Sequence, residues 1–116
     1  MRRVDEAVRE VLGDAVFSDL KDPRIGFVTV TDVKTSADLS HARVYVSVLG
    51  TDEERDATMA GLQSATGVLQ SKVARELRMK RTPTLQFVYD DTAERAARVE
   101  EILHDVDPDA EPEQRR

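Results

Sequence analysis

The chain has 116 residues and a net charge of −6, and this length suits one domain with its own hydrophobic core. It contains no cysteine, which excludes thiol chemistry and cysteine-based zinc sites. No apolar run approaches the ~20 residues of a membrane helix, and no secretory h-region follows the first residues. We therefore expect a cytoplasmic protein with no membrane partner.

The first half of the sequence predicts a helix followed by two strands. Residues 2–20 place apolar side chains at helical spacing, and residues 22–24 then mark a turn. The β-branched run 25–33 predicts a first strand, and residues 41–49 alternate in the manner of a second strand. The apolar face of that second strand carries Ala42, Val44, Val46 and Val48. A short polar connection predicts that the two strands pair antiparallel, with one face on a core.

The second half predicts two helices, a strand and a last short helix. Thr51 followed by Glu54 is a capping-box signature for a helix that runs toward Ser64. Residues 65–67 interrupt it, and a second helix then continues until residues 82–84, because the residue before a proline avoids helical geometry. The apolar side of this second helix carries Val68, Leu69, Val73 and Leu77. Residues 85–89 predict a third strand and residues 93–103 the last helix.

The element order α-β-β-α-α-β, with a short helix after it, predicts an α+β fold with one three-stranded sheet and helices packed on one face. The domain is predicted to span residues 1–104, and the acidic residues 105–116 are predicted to form a disordered tail. Four of the five aromatic residues lie on predicted strands: Phe27, Tyr45, Phe87 and Tyr89. We interpret these four as core or sheet-packing residues.

Positive charge is concentrated in one segment of this acidic chain, residues 64–81, which we call the basic segment. Residues 65–89 hold five basic residues and one acidic residue, whereas the parts before and after are both net negative. The five cations are Lys72, Arg75, Arg78, Lys80 and Arg81. The first three are spaced three apart and are predicted to project from one side of the helix. Basic side chains beside the start of a helix suit a phosphate group. Salt screens charges over ~8 Å, so this segment can attract an anion at contact range although the rest of the chain is acidic.

Other candidates for chemistry are weak. His41 and His104 are isolated in the sequence and have no cysteine beside them, so we predict no metal site. Asp90 and Asp91 suit a turn at a strand end and a helix cap. An enzyme built on Asp90, Asp91 and His41 is a third hypothesis, but the sequence offers no nucleophile, no phosphate-binding glycine loop and no cofactor motif. We predict a protein that is not an enzyme and needs no cofactor.

Three segments in order resemble the bacterial ribosome-binding factor A family, and the resemblance extends from Val4 to Leu103. They are KDPRIGFVTVTDV at 21–33, DLSHARVYVSV at 38–48 and LQFVYDD at 85–91. The resemblance implies a single type II KH-like domain. KH domains clamp nucleic acid with a GxxG loop between two helices. Here Ala65, Thr66 and Gly67 are similar to the AxG interhelical kink that replaces this loop in the family.

The resemblance further implies a non-catalytic assembly factor of the small ribosomal subunit. Such a factor binds free 30S subunits or their precursors and assists late maturation and 5′-end processing of 16S rRNA, above all in the cold. The partners implied are 16S rRNA, the 30S subunit and an assembly GTPase, and the protein is expected to be a monomer.

Under this hypothesis the five cations of the basic segment contact rRNA phosphates, and Gly67 and the kink set the angle of the helix. Arg43, on the exposed strand face, is a weaker candidate contact. About five phosphate contacts predict a log–log salt slope near −4 on duplex-like sites. The alternative is a protein-interaction module, in which the sheet and the acidic tail bind a ribosomal protein or a GTPase and the basic helix is merely solvated.

Overall fold

The computed structural model describes residues 2–18 and 20–105. Its elements in chain order are α1 (Arg2–Ser18), β1 (Phe27–Thr35), β2 (His41–Leu49), α2 (Asp52–Ser64), α3 (Thr66–Leu77), β3 (Thr84–Tyr89) and α4 (Thr92–Asp105). This order confirms the predicted α+β arrangement. The acidic tail predicted from residue 105 lies outside the described residues except for Asp105, which ends α4.

The three strands form one mixed sheet in the order β1-β2-β3. β1 and β2 pair antiparallel, as predicted, with Lys34 opposite Arg43, and the register shifts between Val30 and Asp32 at a bulge. β3 pairs with β2 in parallel and places Gln86 beside Arg43. The parallel pairing requires a crossover, which α2 and α3 supply. α1, α2 and α3 cover one face of the sheet. Within residues 2–18 and 20–105 no helix covers the other face, which we call the open face, although the start of α4 borders it near Tyr45.

The core lies between the covered face of the sheet and the inner sides of α1, α2 and α3. All four residues predicted for the inner face of β2 are buried. The other buried aliphatic and aromatic side chains of the core are Val8, Leu12, Ala15 and Val16 from α1, Val30 and Val33 from β1, Leu62 from α2, Leu69 and Val73 from α3, and Leu85 and Phe87 from β3. The alternation of β2 and the helical spacing of α1 therefore predicted the core directly.

Two apolar side chains that were predicted to be packed, Phe27 in the core or on the sheet and Val68 on the apolar side of its helix, are exposed instead. Phe27 is 79 % exposed because strand alternation sends Val28 and Val30 inward and turns Phe27 to the open face, opposite Leu49. Val68 is 59 % exposed because Leu69 points to the sheet and the preceding residue lies about 100° around the helix. Both predictions were wrong.

The helix of the basic segment, α3, ends earlier than predicted. α3 stops at Leu77, and Arg78 adopts the left-handed conformation with φ 51° and ψ 44°. A left-handed residue ends a helix, whereas a proline only limits how far a helix could extend. The residues from Arg78 to Pro83, which we call the α3–β3 connector, are therefore not helical. Three of the five predicted cations lie in this connector.

α2 begins at the predicted capping box. The backbone N–H of Glu54 donates to Thr51 Oγ1 at 3.1 Å, and the backbone N–H of Thr51 donates to Glu54 Oε1 at 2.7 Å. These two bonds satisfy N–H groups that have no partner within the helix. The capping box was predicted from two residues three positions apart, and the structure confirms it.

The loop before β1 is fixed against α2. The backbone N–H of Gly26 donates to Thr58 Oγ1 at 3.1 Å, and that hydroxyl donates to the carbonyl of Arg24 at 3.3 Å. Thr58 is 1 % exposed. Gly61, one turn further along α2, lies so close to the loop that a Cβ atom there would be 2.6 Å from Ile25 Cγ1. The loop and α2 therefore pack as one unit.

Candidate nucleic-acid interface

A single residue, Ala65, separates α2 from α3 (φ −89°, ψ 2°). Its N–H donates to the carbonyl of Gly61 at 3.0 Å, and its carbonyl accepts from the N–H of Leu69 at 3.0 Å. The Thr66 hydroxyl donates to the carbonyl of Gln63 at 2.8 Å, which satisfies an acceptor at the end of α2. The junction is thus a kink stabilised by hydrogen bonds and not an open loop.

Gly67 contributes less to the kink than the sequence suggested. Its φ is not positive, and a Cβ atom there would meet no atom within 4 Å. The geometry of the bend therefore does not require glycine at this position. Thr66 holds the junction through its hydroxyl, a role that the sequence interpretation missed. Threonine at a helix junction, where its hydroxyl can bond a carbonyl three or four residues back, was the available signal.

The start of α3 is exposed but is not a row of free N–H groups. No side chain caps its N-terminus, and Gly67 and Val68 are both exposed. The N–H of Ala65, just before the helix, is already bonded to the carbonyls of Gly61 and Leu62. The helix dipole favours negative charge at this end, so the cations that follow lie on a helix whose start suits an anion.

α3 itself presents one exposed cation, Arg75. Arg75 lies on its outer side, opposite the buried Leu69 and Val73. Lys72 is half-buried, and its Nζ lies 3.9 Å from Glu76 Oε2 in an i,i+4 ion pair. The charge of Lys72 is therefore partly neutralised within the helix. The prediction that Lys72, Arg75 and Arg78 project together from one helical face was wrong, because Arg78 lies beyond the helix end.

The α3–β3 connector carries Arg78, Lys80 and Arg81, and all three are exposed. The connector is held in place within this cationic run and just after it. Met79 packs against the core, and the side chain of Pro83 is fully buried. The cations therefore extend from an anchored backbone next to the C-terminal end of α3.

Arg43 does not join this cluster. It is exposed on the open face of the sheet, whereas α3 packs on the covered face. The six predicted contacts therefore divide between two surfaces. One consists of α3 and the α3–β3 connector, and the other lies on the open face around Arg43.

The chain matches the family model of ribosome-binding factor A over residues 1–103. It belongs to the ribosome-binding factor A family. The crystal structure of ribosome-binding factor A from Thermus thermophilus is similar, with 28% identity and a TM-score of 0.69, over 76% of this chain and 92% of that chain. A solution NMR structure of a Thermotoga maritima protein described as a candidate ribosome binding factor A has 35% identity and a TM-score of 0.68, over 75% and 83% of the two chains.

A third similar structure comes from a ribosome-bound family member. It is a homology model of Thermus thermophilus ribosome binding factor A fitted into a cryo-EM map of a 30S complex, with 30% identity and a TM-score of 0.64. The match covers 76% of this chain and 92% of that chain. The arrangement of four helices and a three-stranded mixed sheet is therefore shared with ribosome-binding factor A structures.

In this family member, Asp90 and Asp91 serve to connect β3 to α4. Asp90 Oδ1 accepts from the backbone N–H of Thr92 at 3.0 Å, and Asp90 Oδ2 accepts from the Thr31 hydroxyl at 2.8 Å. The Thr92 hydroxyl, its backbone N–H and Thr31 lower the pKa of Asp90, in that order of effect. Asp91 pairs with Arg95 at 3.1 Å. The turn-and-cap interpretation of these carboxylates is confirmed.

His41 is exposed at the start of β2, as the sequence predicted. Within residues 2–18 and 20–105, no group of three or more histidine, aspartate or glutamate side chains could hold a metal ion. In the same part of the chain, no helix combines the length and the apolar character needed to cross a membrane.

Proposed function

We propose that this chain is a non-catalytic assembly factor that binds free 30S subunits or their precursors. The observation that carries the proposal is the charge of α3 and the α3–β3 connector. Arg75, Arg78, Lys80 and Arg81 are exposed, and among the described residues none of them has a carboxylate within 4 Å. Four unneutralised like charges repel one another unless an anion lies between them.

The contact surface suits an RNA backbone. Arginine guanidinium groups bind phosphate in a bidentate geometry that fixes orientation as well as charge. The kink at Ala65 and Thr66 fixes the angle of α3 relative to α2, and so directs these cations. No loop stands between the helices, so the factor would bind RNA as a KH-like domain whose contacts come from α3 and the connector. A similar protein of Thermus thermophilus was fitted into a 30S complex, which supports this partner.

An assembly factor of this kind acts by differential affinity. A ligand shifts a conformational equilibrium only when it binds one conformer more tightly than the others. Tight binding to one 16S rRNA conformer would favour late maturation and 5′-end processing without any catalytic group. The effect would be largest in the cold, where alternative rRNA pairings persist. The protein would act in the cytoplasm as a monomer.

Sedimentation of the tagged protein through a ribosome gradient tests this function. We expect the protein at 30S and its absence from 70S particles. An even distribution over 30S, 50S and 70S would contradict the proposal and indicate a general RNA binder. Treatment of the 30S fraction with nuclease before a second gradient should release the protein, because the contact is with RNA.

One observation favours a protein-interaction module as the second candidate function. α4 exposes Val99, Ile102 and Leu103, spaced so that they share one side of the helix. Such a stripe suits a ribosomal protein or an assembly GTPase. If association with the particle survives removal of the RNA, this module is the better description, and the cations are only solvated.

Arg78 offers a test that separates stability from binding. An L-residue in the left-handed region costs about 1–2 kcal/mol, and glycine avoids most of this cost. We expect Arg78→Gly to raise the free energy of unfolding by up to about 1 kcal/mol in urea denaturation. The same change should weaken binding to 30S subunits by about tenfold, because it removes one phosphate contact.

Arg75→Ala is the matched control for this variant. It removes a cation from a regular helix, so we expect weaker binding with a stability change of less than about 0.5 kcal/mol. An Arg78→Gly protein that is more stable and binds 30S subunits as the wild type does would exclude Arg78 from the interface.

A further inference from the structure

The open face of the sheet contains a groove that the α3 surface does not include. It has a volume of about 540 Å³ and is lined by Lys34, Thr35, Ser36, His41, Arg43 and Gln86. None of the lining residues is acidic. The pairing register explains the composition, because Lys34, Arg43 and Gln86 lie side by side on three adjacent strands and His41 lies two residues before Arg43. The groove is therefore a positively charged site formed by the sheet itself.

Lys34 and Arg43 form no ion pair within the described part of the chain. Lys34 and Arg43 are directly opposite each other on β1 and β2, and like charges in that position destabilise a sheet. Neither has a carboxylate within 4 Å among the described residues. Two carboxylates border the groove without reaching either cation. Asp38 accepts from Ser40 and Ser36, which hold its pKa at about 2 and so keep it ionised in the adjoining turn. Asp5 accepts from the backbone N–H of Thr35 at 3.0 Å. An anion between Lys34 and Arg43 would relieve the repulsion.

An aromatic ring lies next to the charged row. Tyr45 occupies the next outward position on β2, is half-buried, and has Lys34 Nζ at 5.9 Å from its ring centroid. Beyond Tyr45 the face turns acidic, since Asp32 is its cross-strand neighbour. A cationic row beside a ring matches one phosphate and one adjacent base. A base can stack on an aromatic side chain only when it is unpaired, so the match is to a single strand.

We propose that the open-face groove, formed by Lys34, His41, Arg43 and Gln86, binds a single-stranded RNA segment. The phosphate lies between Lys34 and Arg43, the base stacks against Tyr45, and the Gln86 amide can hydrogen-bond the base or the ribose. The identity of this RNA as rRNA rests on the proposed function, but the site does not. It lies on the opposite face of the sheet from α3.

The open-face groove lies close to the α3–β3 connector. Thr84, where β3 starts, lies opposite His41, and its N–H donates to the carbonyl of Ser40 at 2.9 Å. The α3–β3 connector therefore enters the sheet at the basic end of the groove. One RNA could contact the connector with its backbone and extend an unpaired segment across the open face.

Fluorescence anisotropy with the full chain tests the proposal. The probes are a labelled oligouridine of about 12 nucleotides, a length within the range that one binding module spans, and a duplex RNA of the same length. We expect Lys34→Gln/Arg43→Gln to weaken binding of the single strand by about tenfold or more and to reduce its log–log salt slope by about 0.7, for the one phosphate that these two residues contact. The duplex should be affected by less than about twofold.

Three further variants make the result specific. Arg9→Gln/Arg98→Gln removes the same charge from exposed positions on α1 and α4 and should leave both probes unaffected. Tyr45→Leu should weaken the single strand by about tenfold without changing the salt slope, because it removes stacking and no charge. Lys34→Arg/Arg43→Lys should retain binding. Circular dichroism would establish that each variant is folded.

The outcomes distinguish this inference from the proposed function. If the groove variant binds the single strand as its Arg9/Arg98 control does, or loses the duplex equally, the single-strand site is refuted, whatever the 30S gradient shows. If the groove variant loses the single strand selectively while the wild-type protein fails to associate with 30S subunits, the groove stands and the proposed function fails.

Discussion

Charge reversal by Arg75→Glu/Arg78→Glu is expected to weaken association with 30S subunits by at least about 100-fold. Each arginine would lose a hydrogen bond to a charged group, worth about 1.5–3 kcal/mol, and 1.4 kcal/mol corresponds to tenfold in affinity. The introduced carboxylates add repulsion from the same phosphates. Neither arginine has an ion-pair partner in the described structure, so the change breaks no internal salt bridge.

The salt dependence of binding gives an independent measure. Lys72 is half-buried and paired with Glu76, so we expect four phosphate contacts from the exposed cations of the basic segment and not the five that the sequence suggested. Four contacts predict a log–log slope of about −3.6 on duplex-like sites, and the reversed protein should retain about half of it. Co-sedimentation at several salt concentrations would measure both slopes.

The control for this experiment carries the same charge change elsewhere. Arg9→Glu/Arg98→Glu alters exposed residues on α1 and α4, away from α3 and the α3–β3 connector. If this control weakens association as much as the reversal at Arg75 and Arg78, the effect is one of net charge. Unchanged co-sedimentation of the Arg75→Glu/Arg78→Glu protein would contradict the proposed interface.

Features encoded by neighbouring residues were predictable from the sequence. The alternation of Ala42, Val44, Val46 and Val48 fixed the inner face of β2, because side chains on a strand alternate whatever the strand pairs with. The capping box at Thr51 and Glu54 marked the start of α2 for the same reason, since both partners lie within one turn.

Features that depend on distant partners were not predictable in this way. The exposure of Phe27 depends on which face of β1 the helices cover, and the sequence of the strand does not state that. The end of α3 at Leu77 depends on the left-handed conformation of Arg78, and arginine, unlike glycine, gives no local sign of that conformation. Lys34 was assigned to a loop, and its place in the open-face groove appears only when the β1–β2 register sets it beside Arg43.

The loop at residues 21–26 shows how a distant contact can reverse a local rule. Glycine within a helix costs about 1 kcal/mol relative to alanine, so Gly13 and Gly61 look equally replaceable in the sequence. The structure separates them. A Cβ atom on Gly13 would meet nothing within 4 Å, whereas one on Gly61 would lie 2.6 Å from Ile25 Cγ1. Ile25 cannot move freely, because the neighbouring Gly26 is hydrogen-bonded to the buried Thr58.

We therefore expect Gly13→Ala and Gly61→Ala to change stability in opposite directions. Gly13→Ala should raise the free energy of unfolding by up to about 1 kcal/mol. Gly61→Ala should lower it by about 1–2 kcal/mol, because overpacking costs about 1–3 kcal/mol and exceeds the gain in helix propensity. Urea denaturation would measure both, and equal stabilisation by the two changes would contradict the close packing of the loop on α2.

A double-mutant cycle with Ile25→Ala identifies the contact responsible. Ile25→Ala alone should destabilise the protein, because Ile25 packs against the core. It also removes Cγ1, the atom that a Cβ on Gly61 would strike. In the double variant, Gly61→Ala should therefore cost less than it does in the wild type, with a coupling energy of at least about 1 kcal/mol. Additive effects would mean that Gly61→Ala acts through some other contact, and that the loop is not held against α2 at this point.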